Sequence, residues 1–154
     1  MKAYIGIDPG SSSGAIAVIL EGETFVCEFS KTTTWEWFEW LRTIAHIHDC
    51  TAVLEKVHGM PKMNVVAISS FMKNVGHIEM ALIALGIPFK EVTPQTWMKY
   101  YGMKKEGTET KTAWKKRLRE KLSRIMPSFK ATNDTADAML IAYYCMQNEQ
   151  ASCK

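Results

Sequence analysis

The sequence predicts an α/β domain built on a five-stranded mixed sheet that carries helices on both of its faces. Up to residue 29, three apolar segments are separated only by tight turns, which is typical of antiparallel neighbours in a meander. Beyond that point, apolar segments of strand length alternate with amphipathic segments of helical length, as parallel strands joined by helices require. A length of 154 residues fits one domain, so residues 1–154 are predicted to fold as one unit.

The meander forms the first part of the chain. Strands are expected over residues 3–8, 15–20 and 24–29, because each segment is rich in apolar and β-branched residues. Gly10 and Gly14 flank three serines between the first two strands, and a Glu-Gly-Glu turn follows the second strand. Both compositions favour a reversal of the chain.

A helix is then predicted from Thr34, its expected N-cap, to about His48. Its apolar residues recur at helical spacing, and Trp37 and Trp40 lie on that face. The tryptophans, including Trp35, are therefore interpreted as core residues and not as a platform for stacking bases.

The remaining elements alternate between strands and helices. Strands are predicted over residues 51–56 and 87–93, on either side of a long helix over residues 64–85 that ends at Gly86. Three helices complete the chain, because Pro94, Thr110 and Thr132 are good helix starts. These helices are predicted over residues 94–102, 110–126 and 132–147.

Positive charge is concentrated in one part of the chain. Residues 99–130 contain eleven Lys and Arg against three Glu, whereas the whole chain has a formal net charge of +3. The rest of the chain is therefore net negative. A basic face on an otherwise acidic domain favours a polyanion such as nucleic acid as the partner. The alternative is a solvated helix with surplus lysine.

Composition disfavours several other classes of protein. No apolar run is long enough to span a membrane, and Asp8 interrupts any signal-peptide pattern at the N-terminus. The four cysteines are scattered without a Cys-x-x-Cys pair, which argues against a zinc site and fits a reducing compartment. A cytoplasmic protein with no membrane partner is expected.

Four carboxylates stand where partly buried side chains are expected. Asp8 ends the first strand, Glu55 ends the fourth, and Asp134 and Asp137 open the last helix on one face. If the first and fourth strands are parallel neighbours, Asp8 and Glu55 lie side by side at the edge where α/β sheets bind ligands. Buried acids are costly unless they are paired or bind a cation. The four therefore predict a site for hard divalent ions, with Mg²⁺ as the first candidate.

Such a site needs no nucleophilic side chain to hydrolyse a phosphodiester. Two Mg²⁺ ions roughly 4 Å apart would share Asp8, one activating a water and the other stabilising the leaving oxygen. Taken alone, Asp134 could be a helix-capping acid, a role worth about 0.3–1 kcal/mol, and Glu55 could simply pair with Lys56. The combination of all four acids favours the metal site.

Three motifs resemble those of RuvC-type Holliday-junction resolvases, which belong to the ribonuclease H-like superfamily. Residues 5–11 (IGIDPGS) resemble the opening motif, residues 54–57 (LEKV) the second acidic motif, and residues 134–138 (DTADA) the terminal motif. They occur in the order of the family and span almost the whole chain. Residues 92–97 (VTPQTW) resemble divergent, phage-borne members, so a bacterial or phage-infected cytoplasm is expected.

The resemblance implies a ribonuclease H-like fold and a crossover junction endodeoxyribonuclease that acts in DNA recombination and repair. Such an enzyme cuts branched DNA, including Holliday junctions, by paired nicks that leave 5′-phosphate and 3′-hydroxyl ends. The acids of the family align with Asp8, Glu55, Asp134 and Asp137. These would bind two Mg²⁺ ions, or Mn²⁺ in their place, and no nucleotide cofactor is expected.

The resemblance also implies a homodimer and a set of DNA contacts. In the family the long helix after the second acid builds the dimer interface, here residues 64–85, with Met72, Met80 and Ile83 as the apolar stripe. Bacterial members place an aromatic wedge after the second acid, for which His58 is the nearest match. The residues expected to contact DNA are His58, Lys62, Lys99, Lys104, Lys105, Lys111, Lys115 and Lys116.

Three other functions are left open by the sequence. Residues 8–14 also resemble the first phosphate loop of the sugar-kinase, Hsp70 and actin superfamily, but that arrangement needs a second domain for which there is no room. A nuclease of the same fold could act on RNA–DNA hybrids or RNA precursors, since the basic segment suits any nucleic acid. The third is a non-catalytic branched-DNA-binding module, against which the presence of all four acids argues.

Overall fold

A computed structural model describes residues 1–57 and 64–152 of the chain, with side chains described up to residue 149. The strands are β1 Lys2–Asp8, β2 Ala15–Leu20, β3 Glu23–Glu28, β4 Asp49–Glu55 and β5 Phe89–Val92. They form one sheet in the order β3-β2-β1-β4-β5. β1 is therefore the central strand, with neighbours along both of its edges.

The pairing of the strands confirms the predicted mixed sheet. β1, β2 and β3 form an antiparallel meander, and β4 and β5 continue the sheet in parallel on the other side of β1. The register pairs Ile7 of β1 with Leu54 of β4. The next residues along the two strands, Asp8 and Glu55, therefore reach the same edge of the sheet.

Five helices cover the two faces of the sheet in the described part of the chain. α1 and α2 pack on one face, and α3, α4 and α5 pack on the other. A short 3-10 turn, Phe29–Lys31, leads from β3 towards α1. The helices are α1 Thr34–Ile47, α2 Val65–Ala84, α3 Pro94–Tyr100, α4 Lys111–Ile125 and α5 Ala136–Ser152.

The alternation of side chains along the strands separates two apolar cores. Ile5 of β1 and Leu54 of β4 face α1 and α2, whereas Val53 of β4 faces α3, α4 and α5. Because side chains alternate between faces, Asp8 and Glu55 lie on the face that α3, α4 and α5 cover. Both acids are therefore directed towards the helices that follow them in the sequence.

The close approach of α5 to the sheet depends on Gly6. A Cβ atom at this position would lie 2.1 Å from the backbone nitrogen of Ala142 and 2.3 Å from the backbone oxygen of Ala138. The missing side chain thus lets the backbone of α5 lie directly on β1. Since Asp137 directly precedes Ala138, the same contact sets the position of Asp137 relative to the end of β1.

The start of the last helix differs from the prediction. α5 begins at Ala136 and not at Thr132, because Thr132 and Thr135 form a turn in which the Thr135 N–H donates to Thr132 Oγ1 at 3.2 Å. Asp134 therefore lies in this turn, outside the helix. The prediction that Asp134 and Asp137 share the first turn of one helix is corrected to this extent.

The start of α1 also differs in detail. Its N-cap is Thr33 and not Thr34, because Glu36 completes a capping box with Thr33. The interpretation of Trp35 as a core residue is wrong, since its side chain is 69% exposed, whereas Trp37 is 2% exposed. Apart from the two ends of α5, the predicted boundaries of helices and strands agree with the structure to within two residues.

The cysteines that the structure describes are all free thiols. Cys27, Cys50 and Cys145 are buried free thiols, and burial raises the pKa of Cys145 to about 12. None of the helices within residues 1–57 and 64–152 is long and apolar enough to cross a membrane. Cys153 lies outside the described residues.

The contact between Gly6 and α5 predicts a large effect of a small substitution. Gly6→Ala places a methyl group against the backbone of Ala138 and Ala142, and neither can move without displacing α5. Overpacking of this kind typically costs about 1–3 kcal/mol or more of unfolding free energy, to be measured by urea denaturation.

Gly107→Ala, in the segment before α4, is the control. A Cβ at Gly107 meets nothing within 4 Å and its φ is not positive, so alanine should stabilise the protein by up to about 1 kcal/mol. Equal effects of the two substitutions would contradict the close packing of α5 on β1.

Candidate active site

Three acidic side chains converge at the carboxyl edge of the sheet. Asp8 ends β1, Glu55 ends the adjacent β4, and Asp137 lies in the first turn of α5, which packs across β1. Burial raises the pKa of both Asp8 and Glu55, and the charge of Asp137 raises it further in each case. The three carboxylates are therefore close enough to repel one another in a poorly solvated place.

Asp8 is held by the turn that follows β1. Its Oδ1 accepts a hydrogen bond from the backbone N–H of Gly10 at 3.1 Å. The turn is closed by the N–H of Gly14, which donates to the Gly10 carbonyl at 2.7 Å. Burial and then the charge of Asp137 raise the pKa of Asp8 to about 7, although the Gly10 hydrogen bond and Lys115 act in the opposite direction.

Glu55 is buried, with 8% of the residue exposed. Its Oε1 accepts a hydrogen bond at 2.9 Å from Nε1 of Trp97, a residue of α3. Burial and then the charge of Asp8 raise the pKa of Glu55 to about 8, while the Trp97 hydrogen bond lowers it. A carboxyl in this position is fully ionised at neutral pH only if positive charge lies nearby.

Lys115 of α4 supplies positive charge to the cluster. Its Nζ donates to Oδ2 of Asp137 at 2.5 Å, and the two side chains are 17% and 14% exposed. Burial lowers the pKa of Lys115, but Asp137, Asp8 and Glu55 raise it by more, so the net shift is upward. Burial raises the pKa of Asp137 in spite of Lys115. Lys115 is therefore a charged counter-ion shared by all three acids.

One oxygen of Asp137 is left without a partner. Oδ1 is buried and makes no hydrogen bond within the described part of the chain, because only Oδ2 contacts Lys115. In their present arrangement no three Asp, Glu, His or Cys side chains of the described residues are grouped so as to hold a metal ion. The chemistry nevertheless fits one, since Mg²⁺ prefers carboxylate oxygens and a cation would satisfy Oδ1.

Asp134 lies beside the cluster, in the turn before α5, and is partly exposed. Burial dominates the raised pKa of Asp8 and of Asp137, and the charge of Asp134 adds a smaller upward effect to each. Asp134 is thus within electrostatic range of both. Asp134 therefore lies near Asp8 and Asp137, at the outer side of the cluster.

The lysines predicted to contact DNA lie at several places around this cluster. Lys111 is the exposed first residue of α4, and its charge acts on Asp137. Lys116 is exposed and pairs loosely with Glu120, with 3.9 Å between Nζ and Oε1. Lys115, by contrast, is directed into the acid cluster. This side chain was predicted only as a DNA contact, and its place among the acids was not foreseen.

The other predicted DNA contacts line a cavity that none of the four acids lines, or lie outside the described residues. Lys99, Lys104 and Lys105 line a surface cavity of about 540 Å³ whose apolar wall includes Met98 and Met103. His58 and Lys62 lie outside the described residues.

The contacts that two residues make with the acids were not predicted from the sequence. Lys115 precedes Leu118 by three residues, so it lies at the border of the buried stripe of α4, and that spacing is a usable signal. Trp97 belongs to the apolar face of a short helix, and nothing in its spacing points to Glu55. Its contact with Glu55 depends on the packing of α3 against β4.

Comparison with known proteins identifies the fold. No protein-family model and no curated protein sequence matches the chain. A structure of Thermus thermophilus RuvC in complex with a Holliday junction substrate is similar, with a TM-score of 0.65 and 13% identity over 98% of this chain and 96% of that one. A second Thermus thermophilus RuvC structure has a TM-score of 0.58 and 14% identity over 97% and 96%. The chain has a RuvC-like, ribonuclease H-like fold, which confirms the predicted fold class.

The raised pKa values predict how stability depends on pH. Asp8 and Glu55 have pKa values of about 7 and about 8 in the folded protein, above those of an unfolded chain. A raised pKa contributes stability at low pH that is lost as the pH rises through the folded-state value. Without divalent metal, the free energy of unfolding should therefore fall between about pH 4 and about pH 8 in urea denaturation experiments with EDTA.

Two substitutions test the origin of this fall. Asp8→Asn removes one of the repelling charges and should flatten the curve. Asp49→Asn, at an exposed position at the other end of β4, should leave it unchanged. A metal-free protein whose stability rises over this range would show that the pKa values of the two acids are not raised.

Proposed function

We propose that this chain is a divalent-metal-dependent endonuclease that cuts branched DNA. The supporting observation is the convergence of Asp8, Glu55 and Asp137 around Lys115 at the carboxyl edge of a RuvC-like sheet. Partly buried carboxylates that repel one another favour cation binding, because a cation offsets both their repulsion and their lost solvation. A RuvC of the same fold is in complex with a Holliday junction substrate, so a four-way junction is the first substrate to test.

Asp8, Glu55, Asp134 and Asp137 would hold two Mg²⁺ ions, for which Mn²⁺ could substitute. Such ions, when bound, supply a water of lowered pKa and stabilise the charge on the attacking and leaving oxygens. Asp8 interacts electrostatically with each of the other three acids. Loss of the Asp8 charge should therefore weaken cation binding more than loss of any other acid. Cleavage of the DNA would leave 5′-phosphate and 3′-hydroxyl ends.

Lys115 would change partners when the site is loaded. In the structure its ammonium group pairs with Asp137 and lowers the pKa of Asp8 and Glu55. Cations would bring positive charge to the same oxygens, and the ammonium would then be free to donate to a phosphate oxygen of the DNA. A preorganised cationic donor at this place stabilises developing negative charge.

The exposed lysines beside the cluster would bind the DNA backbone. Lys111 and Lys116 lie on the same helix as Lys115, and Lys104 and Lys105 lie in the segment before it. Phosphate contacts of this kind give affinity without base specificity, and binding weakens with salt. His58, Lys62 and Lys99 complete the proposed set of DNA contacts.

α2 would form the interface of a homodimer. Met72, Met80 and Ile83 are exposed on this helix, as an apolar interface in the separate protomer requires. Trp35 of α1 adds to the same surface, where it lines an apolar cavity of about 500 Å³ together with Met80. A dimer would place two acid clusters in one particle, which suits paired nicks in a four-way junction.

Asp8→Asn should reduce cleavage of a four-way junction to background while leaving binding to the junction nearly unchanged. The substitution keeps the shape of the side chain and removes the charge that cations need. Cleavage is measured on labelled strands, and resealing of the products by DNA ligase reports 5′-phosphate and 3′-hydroxyl ends. Asp49→Asn is the control and should cut like the wild type.

The choice of substrates separates the proposal from its alternatives. A four-way junction, a flap, a linear duplex and an RNA–DNA hybrid are compared with Mg²⁺, with Ca²⁺ and with EDTA. Preferential cutting of the hybrid would assign the chain to a ribonuclease H-like activity. An Asp8→Asn variant that cuts at the wild-type rate would refute the acid cluster as the active site.

Lys116→Ala should weaken binding to branched DNA and lower the slope of log affinity against log salt concentration by about 1. The lysine is exposed and only loosely paired, so its loss removes one phosphate contact without disturbing the core. Lys90→Ala on β5, also exposed and loosely paired with Glu149, is the control. An unchanged slope for Lys116→Ala would remove the outer face of α4 from the DNA interface.

Ile83→Glu should convert a dimer into a monomer in sedimentation experiments, because it places a charge within the apolar face of α2. Ile47→Glu at the end of α1 is matched in exposure, since both isoleucines are 63% exposed, and it should leave the dimer intact. If both variants sediment like the wild type, α2 is not the interface.

A further inference from the structure

A neutral hydrogen-bond donor contacts the most buried part of the acid cluster. Trp97 Nε1 donates to Glu55 Oε1 at 2.9 Å, and the indole itself has 0% of its surface exposed. Water cannot replace this donor, because the ring fills the space on that side of the carboxylate. The contact joins residues that are 42 positions apart in the chain, so it depends on the tertiary fold.

The topology of the sheet brings α3 to this place. The last pair in the register between β4 and β5 is Glu55 with Val92, and the Lys56 N–H donates to the Val92 carbonyl at 2.7 Å. Thr93 then caps α3, with Pro94 at the start of the helix. α3 therefore begins at the edge where Glu55 ends, and its fourth residue is Trp97.

The other side of the indole is also fixed. Trp97 packs edge-to-face on Tyr101, with 6.3 Å between ring centroids. The hydroxyl of Tyr101 donates to the backbone oxygen of Leu140 in α5 at 2.5 Å. Since α5 also carries Asp137, the same packed unit connects two of the acids. The donor cannot turn away from Glu55 without disturbing this contact.

The chemistry of the donor differs from that of Lys115. An indole N–H can donate but cannot accept, and it carries no charge. It occupies Oε1 and leaves Oε2, which accepts no hydrogen bond from any residue that the structure describes. A cation would displace the ammonium of Lys115 by charge competition, but it would not compete with a neutral donor. The Trp97 contact can thus persist while Glu55 binds a metal.

We propose that Trp97 is a positioning residue that orients the Glu55 carboxylate so that Oε2 is presented to a divalent cation. The inference rests on the proposed function in taking Glu55 as a metal ligand. Hydrogen bonds to ligating side chains fix their orientation, and losing one typically lowers metal affinity by about 10–100-fold. The role is distinct from that of the acids, because Trp97 is fully buried and its indole N–H can donate a hydrogen bond but cannot bind a cation.

The first test uses Trp97→Phe and Mn²⁺ alone, without DNA. Phenylalanine keeps an aromatic ring in the core but removes the N–H. The Mn²⁺ dissociation constant, measured by electron paramagnetic resonance, should rise about 10–100-fold. Trp114→Phe is the control, because Trp114 is also buried in the core on this face but donates no hydrogen bond to an acid in the described chain. An unchanged dissociation constant for Trp97→Phe, with the protein folded, would overturn the proposal.

The second test does not depend on metal binding or on folding of the Trp97 variant. In metal-free protein, Glu55→Gln changes the acceptor of the indole proton from a carboxylate to an amide. The Trp97 indole resonance in ¹H–¹⁵N spectra should move strongly, whereas Glu91→Gln, on neighbouring β5 and paired with Lys56, should leave it in place. An indole chemical shift that Glu55→Gln leaves unchanged would show that the hydrogen bond between Trp97 and Glu55 does not exist.

The two tests also separate this proposal from the proposed function. If the wild type binds no Mn²⁺, the metal-dependent nuclease fails, and with it the role of Trp97 in metal binding. If the wild type binds Mn²⁺ and Trp97→Phe binds it with the same dissociation constant, the nuclease proposal stands and Trp97 is merely a core residue.

Discussion

Carboxylates that share a poorly solvated edge repel one another, and this repulsion is the constraint on which the site depends. Asp8, Glu55 and Asp137 are brought together with one partly buried cation, Lys115, as their common partner. A buried ion loses several kcal/mol of solvation, and breaking a buried pair costs about 3–5 kcal/mol. Burial is the main cause of the raised pKa values of Asp8 (about 7) and Glu55 (about 8), and the repulsion that one lysine offsets only in part raises them further.

The backbone imposes this arrangement, because three parts of the fold converge on one edge. Parallel pairing of β1 and β4 brings Asp8 next to Glu55. The bare backbone at Gly6 lets α5 lie on β1 and bring Asp137 to the same place. The energy that holds the acids together comes from the apolar cores on the two sides of the sheet. Burial of the apolar cores therefore offsets the unfavourable free energy of the charges at the edge, as is usual for functional sites.

Sequence reasoning predicted the parts of this structure that local pattern and topology determine. The alternation of apolar segments predicted the mixed sheet, and the strand-end positions of Asp8 and Glu55 predicted their adjacency. The start of α5 was predicted four residues too early. The side chains of Thr132 and Thr135 hydrogen-bond to each other and to the backbone in a turn, and helix propensities do not include such bonds. Trp35 was misplaced for a related reason: helical spacing says which residues share a face but not where the core ends.

The roles of Lys115 and Trp97 could not be derived in the same way. Both depend on long-range packing: α4 against α5 in one case, and α3 against β4 in the other. The sequence of a basic segment predicts that its lysines are exposed, and only the packing of α4 on α5 shows which lysine faces the acids. The two donors also differ in kind, since the ammonium competes with a cation and the indole N–H does not. Under the proposed function, the site would be assembled before a metal binds, and only the Lys115 ammonium would have to move.

Anomalous diffraction from crystals of the protein grown with Mn²⁺ shows directly whether the acid cluster is a cation site. If it is one, two anomalous peaks should lie in contact with the carboxylates of Asp8, Glu55 and Asp137, with the Lys115 ammonium moved away from Asp137. Crystals in saturating Mn²⁺ that show no peak among these acids, and Lys115 still paired with Asp137, would contradict it.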